Sequence, residues 1–333
     1  MRVLDNNMEL DARPRRNRRT AAIRGLARES SLQVSDLIQP LFLIEGESKR
    51  VPVDSMPGID RLSIDLIVEE ARVLSKLGIN AVALFPSIDE SLKDSKASES
   101  KNPKGLLQTC ISALKKEVPE MCVISDVAMD PYSSDGHDGL VKDGAIINDE
   151  TLPILADMAV AQAKAGADIV APSDMMDGRV AYIREALDDA GFEDVGILAY
   201  SAKYCSAFYG PFRDALDSAP KAGDKKTYQM DPANVREALR EVELDVVEGA
   251  DMVMVKPALN YLDVITAVKR NVDVPVAAYN VSGEYAMVCA AAERGWMDRD
   301  QAMMEILTSI KRAGADIILS YFAKEAAKLL QAR

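Results

Sequence analysis

The stretch Glu248-Gly-Ala-Asp-Met-Val-Met-Val255 decides the fold, because it joins the end of a predicted helix, a glycine turn and a short apolar strand. The same pattern occurs twice more, as KAGADIV at residues 164–170 and RAGADIIL at residues 312–319. Glycine just past the last apolar turn is the usual end of a helix. A continuously apolar run after it is typical of a parallel strand buried on both faces. The repeat therefore predicts helix–strand units in a parallel sheet.

Apolar runs of this kind recur along the whole chain, with helical spacing between them. There are eight: residues 38–44, 81–85, 122–127, 169–172, 196–200, 252–255, 274–279 and 317–321. The predicted helices between them include Ile64–Leu77, Thr151–Ala165 and Pro232–Val247. Eight strands alternating with helices predict an α/β fold, a (β/α)8 TIM barrel, over residues 36–333. A doubly wound sheet is the weaker alternative, since the chain lacks GxGxxG after the first strand and GxxxxGK[ST] anywhere.

Charge and composition exclude several classes of protein. Lys and Arg number 40 against 53 Asp and Glu, and the net charge of −13 argues against nucleic acid as a partner. No apolar run approaches the roughly 20 residues that cross a bilayer, and residues 1–19 lack the apolar segment of a secretory signal. The four cysteines are scattered without a CxxC pair, which favours free thiols over disulfides or structural zinc. We therefore expect a cytoplasmic protein without a membrane partner.

The N-terminal residues 1–35 differ from the rest of the chain. Arg13–Arg19 contains five arginines, and a short amphipathic stretch follows as far as Ser35. Such a basic strip suits either an anionic ligand or the acidic surface of another subunit. Since the chain itself is strongly acidic, we expect residues 1–35 to form an extended arm for subunit contacts.

Polar residues follow the predicted strands where a barrel places its active site, at the carboxyl ends. They are Asp126, Ser173, Asp174, Lys203, Lys256, Asn280, Ser282, Ser320 and Tyr321. Lys203 and Lys256 each terminate an apolar run on neighbouring strands. Pairing with an aspartate at the barrel rim could explain one such lysine, but two ammonium groups side by side repel each other and indicate a function.

That function is amine chemistry. A free lysine, with a pKa near 10.4, is neutral only about once in a thousand molecules at pH 7. Burial and a neighbouring cation both lower the pKa of a lysine. A neutral amine attacks a ketone to give an iminium, which acidifies the adjacent carbon. The two lysines therefore predict carbonyl chemistry.

The segment Asp126–Gly139 holds four aspartates and the only histidine of the chain within thirteen residues. Asp, Gly, Pro and Ser all favour turns, so an ordinary loop is one interpretation. The other is a set of oxygen ligands, which suits Mg²⁺ or a monovalent cation better than zinc. Asp130, Asp135 and Asp138 are the candidate ligands in that case.

A long polar segment, Phe208–Tyr228, leaves the fifth strand beside Lys203. A loop of this length over the site mouth is typical of a lid, although a solvated loop with ordinary surface cations is the alternative. Its cations and the residue after it could meet a substrate carboxylate. These candidates are Arg213, Lys225, Lys226 and Gln229.

These same residues resemble the porphobilinogen synthase (delta-aminolevulinic acid dehydratase) family from about Arg13 to the C-terminus. The motifs that carry the resemblance stand in the family order: RPRRNRR, SMPGIDR, DVAMDPYSSDGHDG, APSDMMDGR, YSAKYCSAFYGPFRDA, GADMVMVKPALNYLD and AAYNVSGEYAM. The resemblance implies a lyase of porphyrin and heme biosynthesis. It would condense two 5-aminolevulinate molecules asymmetrically into porphobilinogen, with loss of two waters, through lysine Schiff bases.

The resemblance also implies roles for individual residues. Lys256 would form the Schiff base at the P site, and Lys203 would form the one at the A site. The other substrate-binding residues would be Ser282 and Tyr321 for the P-site carboxylate, Arg213, Lys225 and Gln229 for the A-site carboxylate, Phe212 as a lid wall, and Ser173 at its strand end. Asp126, at a strand end facing the lysines, is our choice for proton handling.

The metal segment departs from the zinc-type family pattern, which places three cysteines at the positions of Ala128, Asp130 and Asp138. Catalytic zinc is therefore not expected. The segment is similar to that of the aspartate-rich subgroup that responds to Mg²⁺ or K⁺, with Asp130 and Asp138 as ligands of a possible active-site cation. Glu241 matches the residue that holds an allosteric Mg²⁺, although it could be an ordinary helix glutamate.

The family resemblance further implies a homo-octamer in which the N-terminal arm wraps a neighbouring subunit. Two other functions compete with a dehydratase. A class I aldolase would need only one lysine, and a binding module built on the basic arm would leave the polar strand ends without a purpose.

Overall fold

The fold is a barrel of parallel strands in the computed structural model, which describes residues 12–332. The strands are β1 Leu37–Leu43, β2 Arg50–Pro52, β3 Asp60–Leu62, β4 Ala81–Pro86, β5 Cys122–Val127, β6 Leu140–Lys142, β7 Ala145–Ile147, β8 Ile169–Pro172, β9 Gly196–Lys203, β10 Met252–Lys256, β11 Val276–Asn280 and β12 Ile317–Ser320. The barrel runs in the order β1, β4, β5, β8, β9, β10, β11, β12 and closes by pairing of β12 with β1. The predicted (β/α)8 barrel is confirmed.

At least one helix follows each barrel strand, as the alternating pattern predicts. The helices are α1 Ala21–Leu26, α2 Ile64–Lys76, α3 Leu106–Glu117, α4 Leu152–Ala165, α5 Arg179–Asp189, α6 Gly210–Leu216, α7 Arg236–Val247, α8 Leu262–Lys269, α9 Ser282–Glu293, α10 Arg299–Ala313 and α11 Ala323–Gln331. Two short antiparallel hairpins, β2–β3 and β6–β7, extend from the barrel loops. Helix α4 ends at Gly166 and α10 at Gly314, both in the left-handed conformation that glycine adopts without strain.

The repeated Gly-Ala-Asp sequence joins neighbouring strands at the amino-terminal end of the barrel. The backbone N–H of Asp168 donates to the Val123 carbonyl at 3.0 Å, and its carboxylate accepts the N–H of Val123 at 2.7 Å. Asp251 binds Ile197 in the same two ways, and so does Asp316 with Val276. The aspartates therefore hold β8 to β5, β10 to β9 and β12 to β11. In such barrels this end serves stability rather than chemistry.

The segment after β9 differs from the predicted loop. β9 ends at Lys203, as predicted, where it pairs with β10. The returning chain also reaches this end, since the N–H of Met230 donates to the Lys203 carbonyl at 3.0 Å. The predicted lid, residues 208–228, contains α6 and part of a 3-10 helix, Ala207–Tyr209. Helix α7 begins four residues later than predicted, because Asp231 accepts two backbone N–H groups in a turn just before it.

Backbone contacts divide the chain into two units, residues 12–31 and 32–332 within the described range. The first contains a 3-10 helix, Pro14–Arg18, and α1, whose N-terminal N–H groups are capped by the Thr20 hydroxyl at 3.2 Å. Residues 1–11 of the predicted arm lie outside the described residues, and the arm's subunit contacts stay a prediction. No helix between residues 12 and 332 is long and apolar enough to cross a membrane.

Candidate active site

Lys203 and Lys256 occupy directly paired positions at the carboxyl ends of β9 and β10. Both side chains are buried, each with 6% of its surface exposed. Burial, together with the neighbouring charge of Lys203, lowers the pKa of Lys256 to about 7. In a substantial fraction of the molecules, the Lys256 side chain is therefore a neutral amine near pH 7.

The two lysines differ in their partners. The Lys203 ammonium donates to the Ser173 carbonyl and lies 3.8 Å from a carboxylate oxygen of Asp138. Lys256 has no carboxylate within 4.0 Å among the described residues. Pairing with an aspartate at the barrel rim therefore explains the buried position of Lys203 in part, but it does not explain that of Lys256.

Aromatic rings enclose the Lys256 amine. Its Nζ atom lies 4.6 to 5.2 Å from four ring centroids, those of Tyr200, Tyr209, Phe212 and Tyr279. Ring faces attract a cation, but they also exclude the water that would solvate it. Sequence reasoning singled out only Phe212. The three tyrosines carry no signal of their own in the sequence, because aromatic residues in buried strands are ordinary core residues.

Asp126, at the end of β5, supplies a buried carboxyl group near both lysines. Its Oδ1 atom is buried without a hydrogen-bond partner among the described residues. Burial raises the pKa of Asp126 to about 7, although the charges of Lys203 and Lys256 oppose the shift. A carboxyl group with this pKa can take up or release a proton near neutral pH.

Asp130 and Asp138 meet a lysine of the lid. The Lys225 Nζ atom lies 3.1 Å from Asp130 Oδ2 and 2.9 Å from Asp138 Oδ2, and all three side chains are buried. Burial opposes the shift, but the two carboxylates raise the pKa of Lys225 above its usual value, so that it stays charged. An ammonium between the two carboxylates does not fit a divalent cation at the same place. Among residues 12–332, no group of three or more His, Cys, Asp or Glu side chains is arranged to hold a metal.

The lid covers a cavity of about 30 Å³ above the lysines, room for one or two water molecules. Its walls include Tyr209 and most of the predicted site: Asp126, Asp130, Ser173, Lys203, Phe212, Arg213, Lys225, Gln229 and Lys256. The Arg213 side chain forms no ion pair within the described chain, and the buried Gln229 Oε1 atom has no hydrogen-bond partner there. Both groups are thus available to a ligand. Since the cavity is smaller than any amino-acid-sized substrate, the lid must move to admit one.

Ser282 and Tyr321 do not line this cavity. The Ser282 hydroxyl accepts the N–H of Phe212 at 3.0 Å and donates to the Phe208 carbonyl at 3.3 Å. The Tyr321 hydroxyl lies 2.9 Å from that of Tyr279, and its ring stacks on Phe42. Ser282 is therefore bonded to the backbone of the lid, and Tyr321 is bonded to Tyr279, whose ring centroid lies 4.6 Å from the Lys256 Nζ atom.

Glu241 is remote from the lysines. It lines an outer cavity of about 1010 Å³, whose walls include His137, Asp177, Tyr228 and Glu237. Burial raises the pKa of Glu241, and Arg179 opposes the shift. The residues predicted to bind a cation therefore do not form one site: Glu241 lines the outer cavity, whereas Asp130 and Asp138 contact Lys225.

A buried ion pair that the sequence did not indicate links α5 to α7. Arg179 donates to Asp245 at 2.9 Å and lies 4.0 Å from Asp174. Its partners stand 5 and 66 residues away along the chain, so nothing in the local pattern marks the pair.

The fold and site together define a class of protein. Adjacent buried lysines at the carboxyl ends of barrel strands, one of them partly neutral near pH 7, are the equipment of an enzyme that forms Schiff bases with carbonyl substrates.

Comparison with known proteins identifies the family. Residues 11–329 match the family model described as delta-aminolevulinic acid dehydratase. Several relatives carry that name. The protein of Bradyrhizobium diazoefficiens is 59% identical, with 97% of this chain and 92% of the relative aligned. That of Synechococcus elongatus is 54% identical over 96% of this chain and 98% of the relative. The chain belongs to the delta-aminolevulinic acid dehydratase family.

A solved structure agrees with this assignment. The delta-aminolevulinic acid dehydratase of Toxoplasma gondii, in complex with its reaction product porphobilinogen, superposes with a TM-score of 0.94. It is 54% identical, and the match covers 96% of this chain and 92% of that one. The predicted family and barrel are both confirmed.

Proposed function

We propose that Lys203 and Lys256 each form a Schiff base with one molecule of 5-aminolevulinate. As a member of its family, the chain is a dehydratase that condenses two such molecules into porphobilinogen with loss of two waters, in tetrapyrrole biosynthesis. The observation that carries the two-lysine proposal is the direct pairing of Lys203 with Lys256. A single Schiff base would leave the second buried ammonium unexplained.

Lys256 is proposed to act at the P site. Its neutral amine attacks the ketone of the first substrate, and loss of water gives an iminium. Ser282 and Tyr321 are proposed to bind the carboxylate of this molecule through their hydroxyl groups. Because the Ser282 hydroxyl is bonded to the lid backbone at Phe208 and Phe212, movement of the lid would free it to bind the substrate.

Lys203 is proposed to act at the A site. Arg213 and Gln229 are suited to bind the second carboxylate, because both line the cavity with polar groups that lack a partner within the described chain. Lys225 would add positive charge there while Asp130 and Asp138 hold it in place. Clamps of this kind impose different poses on two identical molecules, which the asymmetric product requires.

Asp126 is proposed to handle protons. The A-site iminium acidifies the adjacent carbon, and a base must remove that proton before the carbon–carbon bond forms. Asp126 is buried beside both lysines with a pKa near neutral and an unpartnered oxygen. Ser173, whose carbonyl accepts a hydrogen bond from Lys203, is proposed to orient that amine.

Members of this family are in general metal-dependent, and for this chain we propose Mg²⁺ at Glu241 as an allosteric ion. The donors fit a hydrated Mg²⁺, because Glu241 offers a hard oxygen in a cavity roomy enough for the ion to keep several waters. Replacement of Glu241 by Gln should abolish a Mg²⁺-dependent rise in melting temperature. K⁺ is the proposed alternative ion, and no catalytic zinc is proposed, since Ala128, Asp130 and Asp138 provide no thiolate.

A homo-octamer in the cytoplasm is proposed as the assembly, with residues 1–35 as the arm that contacts a neighbouring subunit. The support is the basic strip Arg13–Arg19 on an otherwise acidic chain. Deletion of the residues before Ser30 should give smaller species by light scattering, and an unchanged octamer would refute the arm.

The two-lysine proposal is tested with the variants Lys203→Ala and Lys256→Ala. The matched control is Lys226→Ala, because the structure places this candidate lid lysine outside the cavity of the two lysines, exposed and paired with Asp224. Each active-site variant should lose at least about a thousandfold in porphobilinogen formation, whereas the control should keep nearly full activity. Circular dichroism checks that the variants are folded. A folded Lys203 variant with near-normal turnover would contradict the second Schiff base.

A further inference from the structure

Glu284 is a buried carboxylate that none of the steps above uses. It lies at the third position of α9, and its side chain is fully shielded from solvent. No lysine or arginine of the described chain pairs with it. Hydrogen-bond donors surround it instead. Burial without a counter-ion raises the pKa of Glu284 to about 7, although these donors oppose the shift. In either protonation state the side chain is tied to the backbone around it.

The donors come from loops that follow two barrel strands. Oε1 of Glu284 accepts the backbone N–H of Leu259, just after β10, at 2.8 Å. Oε2 accepts the side-chain amide of Asn280, at the end of β11, at 2.7 Å and the backbone N–H of Val281 at 3.0 Å. One carboxylate thus fixes the exits of β10 and β11.

The network reaches a third strand through Asn280. The carbonyl oxygen of the Asn280 side chain accepts the hydroxyl of Ser320, at the end of β12, at 2.8 Å. The Ser320 oxygen in turn accepts the backbone N–H of Phe322 at 3.1 Å. The exits of three consecutive strands are therefore connected to Glu284.

Each of these three exits carries one of the proposed P-site groups. Lys256 precedes Leu259 by three residues, Ser282 follows Val281 directly, and Tyr321 lies between Ser320 and Phe322. Pro257, next to Lys256, has no N–H to donate. The Glu284–Leu259 bond is accordingly an anchor that holds the chain just beyond the lysine.

We propose that Glu284 is the positioning residue of the P site. Its hydrogen bonds hold the three strand ends so that Lys256, Ser282 and Tyr321 keep fixed positions relative to one another. The proposal rests on the proposed two-site function. It concerns only the P site, because the A-site lysine on β9 and the A-site groups of the lid have no bond to this network.

The variant Glu284→Gln tests the proposal. Glutamine keeps the shape of the side chain but replaces one acceptor oxygen with an amide that faces N–H donors. The borohydride-trapped adduct of 5-aminolevulinate should form on Lys256 about ten to a hundred times more slowly. The adduct on Lys203, quantified in the same digest, should change less than about twofold.

Two further variants separate positioning from general destabilisation. Asp251→Asn is the matched control, because Asp251 also accepts a strand N–H, that of Ile197, but at the opposite end of the barrel. It should leave the ratio of the two adducts as in the wild type. Ser320→Ala, a milder change, cuts only the branch toward Tyr321 and should raise KM a few-fold with little effect on kcat.

The wild-type protein distinguishes failure of this inference from failure of the two-site function. The wild type should first show adducts on both lysines, as the two-site function requires. If Glu284→Gln then slows the two adducts equally or not at all, the role of Glu284 is overturned. If Glu284→Gln does not fold, an unchanged KM in Ser320→Ala would overturn it. Absence of a Lys256 adduct in the wild type would instead refute the proposed function.

Discussion

Replacement of Lys203 by Met should raise the pKa of Lys256, because it removes the nearest positive charge. The pKa of Lys256 is about 7 instead of the usual 10.5, a shift worth about 5 kcal/mol. Paired strands lie about 5 Å apart, and two unit charges at that separation repel by about 3 kcal/mol at an effective dielectric of about 20. This is an upper bound, since burial is the larger cause and nearby carboxylates screen the pair. The expected rise is about one to two units.

The assay follows Schiff-base formation on Lys256 with 5-aminolevulinate over a range of pH. Samples are quenched with borohydride at one fixed pH, and the Lys256 peptide is quantified by mass spectrometry. The midpoint should lie near 7 in the wild type and between about 8 and 9 in Lys203→Met. Lys226→Met, which removes an exposed lid charge, is the control and should keep the wild-type midpoint. An unmoved midpoint in Lys203→Met would refute the reasoning that the charge of Lys203 activates Lys256.

Two more predictions concern the proton and the lid. Asp126→Asn should lower kcat at least about a hundredfold, with a smaller change in KM. It should also remove the rise in rate near pH 7 that deprotonation of Asp126 produces. Unimpaired turnover would exclude Asp126 as the base. Gly136→Ala should raise KM and expose the lid to trypsin, because an added Cβ would overlap the Ala219 carbonyl of the lid. Gly144→Ala is its control, since Gly144 has a similar positive φ but open space around it; equal effects of the two would mean that backbone strain rather than lid contact is responsible.

The barrel could be predicted from the sequence because its signals are local. In the Gly-Ala-Asp repeats a helix end, a turn and a strand start fall within seven or eight residues, and their aspartates prove to connect neighbouring strands. The hydrogen bond between Met230 and the end of β9 at Lys203 could not be predicted, because it joins residues on opposite sides of the lid.

The site was only partly predictable for the same physical reason. Lys203, Lys256 and Asp126 were expected to lie together because each lies at the end of a barrel strand, and all three line one cavity. The contact of Lys225 with Asp130 and Asp138 spans about ninety residues, so the acidic segment alone gave no sign that a lysine lies against its carboxylates. Glu284 offered no signal, since a glutamate in the first turn of a helix is ordinarily a capping residue.

The most direct test of the account is borohydride trapping of the wild-type enzyme with 5-aminolevulinate, followed by peptide mapping. We predict reduced adducts on Lys256 and, as the substrate concentration rises, on Lys203 as well. An adduct confined to one lysine at saturating substrate would contradict the two-Schiff-base mechanism and favour aldolase-like chemistry on the same barrel.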